Sequence, residues 1–378
     1  MELTLDEPQT QIRDLARRFA RERLAPTARQ RDREALFPTA ELREAGQLGL
    51  LGINVPEDLG GSAAGAVSYA LAIAELAEAC ASTTVAVAVT NMVAEQIARF
   101  GTPVQRQAFV PGLVSGEAVA GAFALSETHC GSDAAALATA ARRDGAHWVL
   151  DGQKQWITSG DRAGVVLAFA RTGGPGPKGV SAFLIEGGTP GMSAGKPEHK
   201  MGLRGSTTVP LVFERCRIPS DALLGEEGGG FKIAMSALDG GRIGISAQAI
   251  GVLRGCLAAS RAYAKDRRAF GSTLGSFQAI QWKLADMAKD LAAAELLCSR
   301  AASLKDQGRP FTLEASMSKV FCTEAANRHA SEAVQIHGGY GYIDEFPVER
   351  YFRDARVQTL YEGTSEIQRK VIAREILK

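Results

Sequence analysis

Three stretches of different texture follow one another along this 378-residue chain, and their order limits the folds that it can adopt. From residue 6 to about 116, apolar residues recur at helical spacing. Between about 118 and 220 they form short runs separated by turn residues, which is typical of strands. Helical spacing returns at 231–266, 276–307 and 312–337. This order predicts segregated α and β regions, unlike the alternation of a doubly wound dinucleotide fold.

The N-terminal stretch indicates individual helices. Ile12, Leu15 and Ala16 lie on one apolar stripe with Phe19, and Pro26 interrupts the pattern. Residues 66–100 predict two Ala-rich, largely buried helices with a polar join at 82–84.

The middle stretch predicts an antiparallel sheet, arranged as a small barrel or a sandwich. Asp-Gly pairs at 144–145 and 151–152 each favour a hairpin turn. The apolar runs that predict its strands are residues 148–150, 165–170, 180–185 and 209–213.

The C-terminal stretch contains a glycine-rich segment, 338–341, but it follows a predicted helix, whereas a dinucleotide-binding loop follows a strand. No second sheet is predicted after the glycines at 228–230. We therefore divide the chain into an N-terminal helical domain (1–117), a middle β domain (118–224) and a C-terminal helical bundle (225–378).

Composition excludes several classes of function. Forty-three basic and 42 acidic residues give a formal charge of +1, with no basic block that would indicate nucleic-acid binding. Six scattered cysteines lack metal-ligand spacing, so we expect free thiols and no metal. The first residues show no secretion signal, and no segment approaches the roughly 20 apolar residues that span a bilayer. We expect a cytoplasmic protein without membrane insertion.

The hexapeptide 361–366, Tyr-Glu-Gly-Thr-Ser-Glu, is the strongest candidate for chemistry. Glu362 stands between an aromatic residue and a glycine, immediately before a predicted amphipathic helix. Gly363 permits close approach of a ligand, and a glutamate desolvated beside that gap becomes a proton acceptor at neutral pH. The alternative is an ordinary acidic residue near a helix N-terminus.

Seven segments occur in an order that resembles the acyl-CoA dehydrogenase family, flavoenzymes of fatty acid and amino acid breakdown. The resemblance covers the whole chain and is closest to the short-chain, butyryl-CoA branch. The segments are LSETHCGSD (125–133), QWITSG (155–160), KMGLRGSTT (200–208), GEEGGGFKIAM (225–235), RRAFG (267–271), QIHGGYGY (335–342) and YEGTSEIQ (361–368).

The resemblance implies a C-terminal four-helix bundle, FAD as cofactor and a homotetramer built as a dimer of dimers. The residues expected at the isoalloxazine ring are Phe123, Leu125, Ser126, Trp156, Ile157, Thr158, Thr364 and Glu366. A second set of residues is expected to contact an FAD that is bound mainly by a neighbouring subunit, at its pyrophosphate and adenosine. These residues are Arg267, Phe270, Gln278, Gln335, Gly338 and Gly339.

It also implies an acyl-CoA channel lined by Ser132, Leu238, Asp239, Arg242, Tyr361 and Gly363. Without the resemblance, Asp239 and Arg242 would be interpreted as a surface helix pair. The pocket floor is expected from Leu238 and from the 80–100 helix region with Thr90, Asn91 and Val93. His129 and Cys130 are interpreted as loop variation.

The reaction implied is α,β-dehydrogenation of a short or branched acyl-CoA to the trans-2-enoyl-CoA, as in fatty acid β-oxidation. Glu362 removes the α-proton, the β-hydride goes to flavin N5, and electron transfer flavoprotein accepts the electrons. Some relatives carry the base where this chain has Gly241, so Glu362 has no competitor. The alternatives are an oxygen-using flavoenzyme, that is an acyl-CoA oxidase or flavin monooxygenase, and a non-catalytic scaffold.

Overall fold

A computed structural model describes residues 4–378, and its N-terminal part is helical as predicted. Asp6 and Gln9 form reciprocal side-chain caps at the start of the first helix. The helices are α1 (Glu7–Phe19), which continues through helical turns to Thr27, α2 (Ala28–Glu34), α3 (Thr39–Gln47), α4 (Gly65–Phe100) and α5 (Pro103–Val114).

Helix α4 is bent at Cys80, whose backbone leaves the helical region at φ −155° and ψ 94°. The hydroxyl of Thr84 donates to the Cys80 carbonyl at 2.9 Å and so satisfies an acceptor at the bend. The prediction of two helices is confirmed, with the break two residues before the expected join.

The middle part is one eight-stranded sheet in the order β6-β7-β3-β2-β4-β5-β8, with β1 paired to β4. The pairs β1–β4 and β2–β4 are parallel and the others antiparallel. The strands are β1 (Gly121–Ala124), β2 (Ala140–Asp144), β3 (His147–Thr158), β4 (Val165–Arg171), β5 (Val180–Glu186), β6 (Met192–Ala194), β7 (Thr208–Pro219) and β8 (Leu223–Leu224).

This sheet folds over itself. The rings of Trp148 on β3 and Phe183 on β5 lie 5.3 Å apart, although two strands separate β3 from β5 in the sheet. Neighbouring strands are about 4.8 Å apart, so the two rings meet only if the sheet curls around a core. Among residues 4–378 the strand path does not close, so the arrangement is sandwich-like and not a closed barrel.

One of the two predicted hairpins is wrong. Asp144-Gly145 does turn between β2 and β3. Asp151-Gly152 instead lies inside β3, where the register against β7 shifts and Gly152 has φ +145°. The Asp151 carboxylate accepts the backbone N–H of Arg215 on β7 at 2.7 Å. The pair therefore forms a bulge within one long strand.

The C-terminal part is helical, with each long helix close to its predicted bounds. The expectation of no second sheet is wrong, since a two-stranded ribbon lies between α6 and α7. The sequence did not indicate it because each strand is too short to show strand periodicity. The elements are α6 (Gly230–Asp266), β9 (Arg268–Ala269), β10 (Ser272–Thr273), α7 (Gln278–Asp306), α8 (Thr312–His337), α9 (Val348–Gln358) and α10 (Ser365–Ile376). Helices α6, α7 and α8 pack together, and α9 and α10 pack on α8.

The N-terminal and C-terminal helices share one hydrophobic core. Ile73 on α4, Ile250 on α6 and Ala294 on α7 belong to the same buried cluster. The two helical regions are therefore separate in sequence but continuous in space.

Two helices have the length and hydropathy of membrane spans. The expectation that no segment is long and apolar enough to span a bilayer is therefore wrong. The most apolar windows of α4 and α6 are, however, 94% and 78% buried inside the protein. Their apolar surface is therefore covered by other parts of the chain, as in a core helix.

Candidate active site

The predicted base, Glu362, lies in the loop between α9 and α10. Its backbone is in the left-handed region, with φ +51°, and Gly363 follows at φ +92°. Glycine adopts this conformation readily, but a glutamate does so only when its surroundings fix it. Thr364 ends the loop by accepting the Ile367 N–H at 3.3 Å, which caps α10. We call residues 361–364 the base loop.

Two fully buried side chains hold the carbonyls of the base loop. Gln368 on α10 donates to the carbonyls of Glu362 and Gly363 at 3.1 and 3.0 Å. Lys319 on α8 donates from Nζ to the Gly363 carbonyl at 2.8 Å. Helices on two sides therefore fix the strained turn that presents the carboxyl group.

Tyr361 connects the base loop to α6 and α4. Its hydroxyl donates to the side-chain oxygen of Gln248, whose nitrogen donates to the Ala81 carbonyl at 2.9 Å. Ala81 directly follows the bend of α4. The bend, α6 and the base loop thus form one connected network.

The carboxyl group of Glu362 has the electrostatics of a base. Its Oε2 atom is buried and has no hydrogen-bond partner among residues 4–378. Burial raises the pKa of Glu362 to about 7, although the positive charges of Lys319 and Arg242 act in the opposite direction. The group therefore exchanges a proton near neutral pH.

Gly241 on α6 lies directly opposite this carboxyl group. A methyl group at Gly241 would overlap the Oε2 atom of Glu362. Gly241, which the resemblance implies as the alternative position of the base, and the predicted base Glu362 therefore face the same space.

Asp239 and Arg242 are not a surface pair. Arg242 is 5% exposed and forms an ion pair with Asp239, which also accepts the Thr312 hydroxyl at 2.8 Å. The surface-pair alternative is therefore wrong. Leu238 packs against the core, whereas Ser132 lies exposed in the loop after β1.

The two segments predicted at the flavin ring lie side by side. The Gln155 N–H donates to the Ser126 carbonyl at 2.8 Å, and the buried Lys154 donates to the Leu125 carbonyl at 3.1 Å. Trp156 is 61% exposed. An exposed indole beside this junction offers a flat wall to a flat ligand.

The side chains of this group do not all face the same way. Ile157 is buried in the core of the middle sheet, so only its backbone is available to a cofactor. Phe123 is half-buried and packs its ring 5.0 Å from that of Phe169. Thr158 is half-buried at the end of β3, and Glu366 is exposed on the first turn of α10.

A second group of predicted cofactor residues surrounds a surface cavity of about 620 Å³ at the ends of α6 and α8. Its walls are Tyr263, Arg267, Leu274, Ile336, His337, Gly338, Gly339, Tyr340 and Ile343. Nearby, Phe270 at the tip of the β9–β10 ribbon is 97% exposed, and its ring contacts that of Phe277 edge-on. Gln278 and Gln335 are exposed at the helix ends beside these residues. We call these residues together the outer patch.

Family models for the acyl-CoA dehydrogenase N-terminal, middle and C-terminal domains match residues 6–117, 122–216 and 228–377. The chain belongs to the acyl-CoA dehydrogenase family. It is an oxidoreductase of the short-chain, butyryl-CoA type. The match of all three domains in one chain confirms the resemblance on which the site residues were predicted.

Individual relatives agree with this assignment. The chain is 49% identical to the bovine mitochondrial short-chain specific acyl-CoA dehydrogenase, covering 99% of this chain and 91% of that protein. It is 45% identical to the acryloyl-CoA reductase (NADH) of Anaerotignum propionicum, covering 100% and 96%. Butyryl-CoA dehydrogenase from Megasphaera elsdenii superposes with a TM-score of 0.97 at 41% identity, with both chains fully covered.

Enzymes of this family use FAD, and the outer patch suits its phosphates. Arg267 makes no ion pair among residues 4–378, and its guanidinium lies 5.5 Å from the centre of the Tyr340 ring. A side chain at Gly338 or Gly339 would meet no atom within 4 Å, so this backbone faces open space. A free guanidinium beside accessible backbone is a chemically suitable site for a pyrophosphate.

Several residues of these sites were not predicted. Lys319 and Gln248 act on the base loop from a distance in sequence, whereas Gln368 lies in the adjoining turn of α10. One signal was available for Lys319, because its helical neighbours at 315, 316, 322 and 323 are small and uncharged, which indicates a buried lysine.

Glu127, His129 and Cys130 place one possible metal ligand each within 4.8 Å of one another. The Glu127 oxygens already accept Lys154 Nζ at 2.7 Å and the N–H groups of Ala138 and Thr139. Burial also raises the pKa of the Cys130 thiol. Glu127 thus serves the buried lysine, and the group gives no reason to assign a metal.

The expected pocket floor is partly engaged in packing. Asn91 donates to the Leu50 carbonyl at 2.9 Å and accepts the Ile53 N–H at 3.0 Å. Thr90 accepts the Gly121 N–H at 3.1 Å. These polar groups hold a loop and a strand, so they are not available to shape a channel for an acyl chain.

Proposed function

We propose that this acyl-CoA dehydrogenase oxidises a short-chain acyl-CoA thioester to the trans-2-enoyl-CoA, with Glu362 as the base. The observation that carries the proposal is the buried Oε2 atom of Glu362, which has no hydrogen-bond partner among residues 4–378, in a group with a pKa of about 7. An unpaired carboxylate held out of water is suited to accept a proton from a weakly acidic carbon.

The chain's part in the reaction is proton removal. The Glu362 carboxylate takes the α-proton, the electrons of that C–H bond form the new C=C bond, and the β-hydrogen departs with its electron pair. FAD, when bound, supplies the acceptor for that hydride. The α-proton is acidic enough only if the thioester oxygen is stabilised as negative charge develops.

The backbone N–H of Glu362 is available for that stabilisation. Among residues 4–378 it donates to no backbone or side-chain acceptor. A free N–H next to the base fits a thioester whose α-carbon faces the carboxylate and whose oxygen accepts the N–H. The rigid turn at 362–363 would keep both groups in place.

The substrate class rests on similarity. The bovine relative is a short-chain specific dehydrogenase and the Megasphaera elsdenii enzyme is a butyryl-CoA dehydrogenase. A straight four-carbon acyl group is the first candidate, and small branched acyl groups are the second. We also propose that Asp239, Arg242, Leu238 and Ser132 line the path of the CoA thioester.

Electron transfer flavoprotein is the proposed electron acceptor. The chain has a TM-score of 0.98 and 42% identity to a chain solved in a study of the electron transferring flavoprotein of Acidaminococcus fermentans, with both chains fully covered. The alternative is direct oxidation by oxygen, as in acyl-CoA oxidases. A cytoplasmic location remains a prediction.

We further propose a homotetramer in which the outer patch holds FAD bound mainly by a neighbouring subunit. Two features support this. Phe270 is almost fully exposed, and the cavity beside it is open to solvent. Both suit a surface that a second copy of the chain covers.

The proposal is tested with purified protein under anaerobic conditions and a panel of straight and branched acyl-CoAs. Butyryl-CoA should bleach the flavin absorbance fastest, and electron transfer flavoprotein should reoxidise it. Lack of bleaching with every acyl-CoA would contradict dehydrogenation. Hydrogen peroxide formed as fast as electron transfer flavoprotein is reduced would favour the oxidase alternative.

A further inference from the structure

We propose that Lys319 is a positioning residue for Glu362: it holds the Gly363 carbonyl and supplies a positive charge that favours ionisation of the nearby carboxyl group. This inference rests on the proposed function, because it concerns how the proposed base is prepared. It gives a role to a buried lysine that takes no direct part in the proposed reaction.

The first argument is geometric. Lys319 is 0% exposed, and its Nζ donates to the Gly363 carbonyl at 2.8 Å. That carbonyl belongs to the residue after the base, at φ +92°. A lysine loses much hydration and rotamer freedom when it is fully buried, so its position needs a compensating interaction. Here the compensation lies at the base loop.

The second argument concerns which charges face the base. Lys319 on α8 and Arg242 on α6 are the cations that act on Glu362. Tyr69 on α4 and Tyr361 in the base loop also sense its charge, and burial holds the pKa of both phenols well above the usual range. The acidic groups that act on Lys319 besides Glu362 are Glu324 on α8 and Glu366 on α10.

Lys319 differs from Arg242 in how its charge is used. Arg242 is paired directly with Asp239, which offsets its charge. Among residues 4–378, Lys319 is in direct ion-pair contact with no carboxylate. Its field therefore reaches Glu362 without an N–H on the oxygen that must accept the proton. A direct salt bridge would stabilise the carboxylate but occupy its lone pair.

Lys319 also has a pKa close to neutral pH. Burial lowers its pKa to about 8, while Glu362 attracts the proton and Arg242 repels it. At pH 7 Lys319 is therefore mostly charged and Glu362 is near its midpoint. Removing the lysine charge raises the pKa of Glu362, so the ionised base forms only at higher pH.

The test measures the rate of anaerobic flavin reduction by saturating butyryl-CoA across pH in Lys319→Met, Lys319→Gln and Lys319→Arg. Glutamine keeps a donor for the Gly363 carbonyl but has no charge, and arginine keeps the charge. In Lys319→Met and Lys319→Gln, the rise of the rate with pH should move up by roughly one unit or more. At pH 7, where Glu362 is near its midpoint, a shift of one unit lowers the ionised fraction, and so the rate, about 5-fold, with recovery at higher pH.

Lys200→Met is the matched control. Lys200 also donates to a backbone carbonyl, that of Ser206, and burial also lowers its pKa to about 8. The acidic groups that act on it are Asp354, Asp161 and Glu198, and not Glu362. Its variant should keep the wild-type pH profile. FAD content and thermal unfolding of every variant report on folding separately.

Each result decides the proposal. A lower rate at every pH, with an unchanged profile in Lys319→Met and Lys319→Gln, shows a purely structural lysine and overturns it. A shifted profile in Lys319→Met with a wild-type profile in Lys319→Gln shows that only the hydrogen bond matters, which also overturns it. Glu362→Gln tests the proposed base separately from the proposed role of Lys319. If this variant still reduces flavin, the base assignment is wrong and the Lys319 proposal fails with it.

Discussion

The base loop and the outer patch differ in how much of each is completed by its own chain. In the base loop, Gln368 and Lys319 are fully buried and bonded to backbone carbonyls. In the outer patch, Phe270 is exposed and Gly338 faces open space. The first site is held by groups of its own chain, whereas the second presents exposed groups that suit the proposed FAD of a neighbouring subunit.

The difference suits the two proposed tasks. Proton removal from a weakly acidic carbon needs a desolvated carboxylate in one orientation, which only a packed interior supplies. A pyrophosphate and an adenosine need donors and flat surfaces, which an exposed patch offers until another surface covers it. Substitutions in the two regions should therefore fail in different ways.

The largest effect is expected for Glu362→Gln, which keeps the size of the side chain but cannot accept the α-proton. Loss of a general base costs about 10²- to 10⁴-fold. FAD content and binding of an enoyl-CoA, measured by the change in the flavin spectrum, should remain. Retention of more than roughly a tenth of the wild-type reduction rate, a loss of under about 1.4 kcal/mol, would show that Glu362 is not the base.

Gly241→Ala should displace the carboxyl group without removing it, because the added methyl group overlaps the Oε2 atom. A misplacement of about 1 Å can cost on the order of 100-fold in rate. Gly240→Ala is the control, because there the methyl group meets only the flexible end of Lys305, at 3.3 Å. Equal reduction rates in the two variants would contradict the assigned geometry.

In the outer patch, Arg267→Ala should weaken FAD binding and assembly together while leaving the fold of the chain intact. A hydrogen bond to a charged group contributes about 1.5 to 3 kcal/mol, or roughly 10- to 100-fold in affinity. Arg268→Ala serves as the control, because it removes the neighbouring guanidinium, which donates to the Gly271 carbonyl at 3.3 Å. A monomer of Arg267→Ala with full FAD content would disprove the shared site.

The smallest effect is expected for Phe270→Ala. The ring is exposed in the single chain, so its loss should leave the thermal stability of an isolated subunit unchanged. If a neighbouring subunit's FAD contacts it, affinity should fall by about 2- to 10-fold, the range of an aromatic contact. Val104→Ala, at another exposed apolar position, is the control. Equal FAD affinities would place Phe270 outside the site.

The positions of the helices along the chain were predictable because they depend on local periodicity. Predicted helices at 231–266 and 312–337 end within one residue of α6 and α8. The bulge at Asp151-Gly152 was not predictable, because the same dipeptide makes a turn or a bulge depending on the partner strand. Here β7 is that partner strand, and its Arg215 N–H donates to the Asp151 carboxylate.

The candidate site shows the same division. Glu362 was identified from its sequence neighbours and from the resemblance to the family. Its environment was not, because Lys319, Gly241 and Arg242 reach it from helices that are far away in sequence. Likewise, nothing local distinguished a buried Asp239–Arg242 pair from a surface pair at the same spacing.

The order of residues alone was enough to predict the order of α and β regions, the family, the cofactor and the residue expected to act as base. These depend on local spacing and on motifs that are readable along the chain. The packing in three dimensions was needed to show that the carboxyl group is buried without a hydrogen-bond partner among residues 4–378, that Gly241 faces it, and that a lysine charge lies near it without direct contact. Desolvation and charge separation depend on distances through space, and the order of residues does not contain those distances.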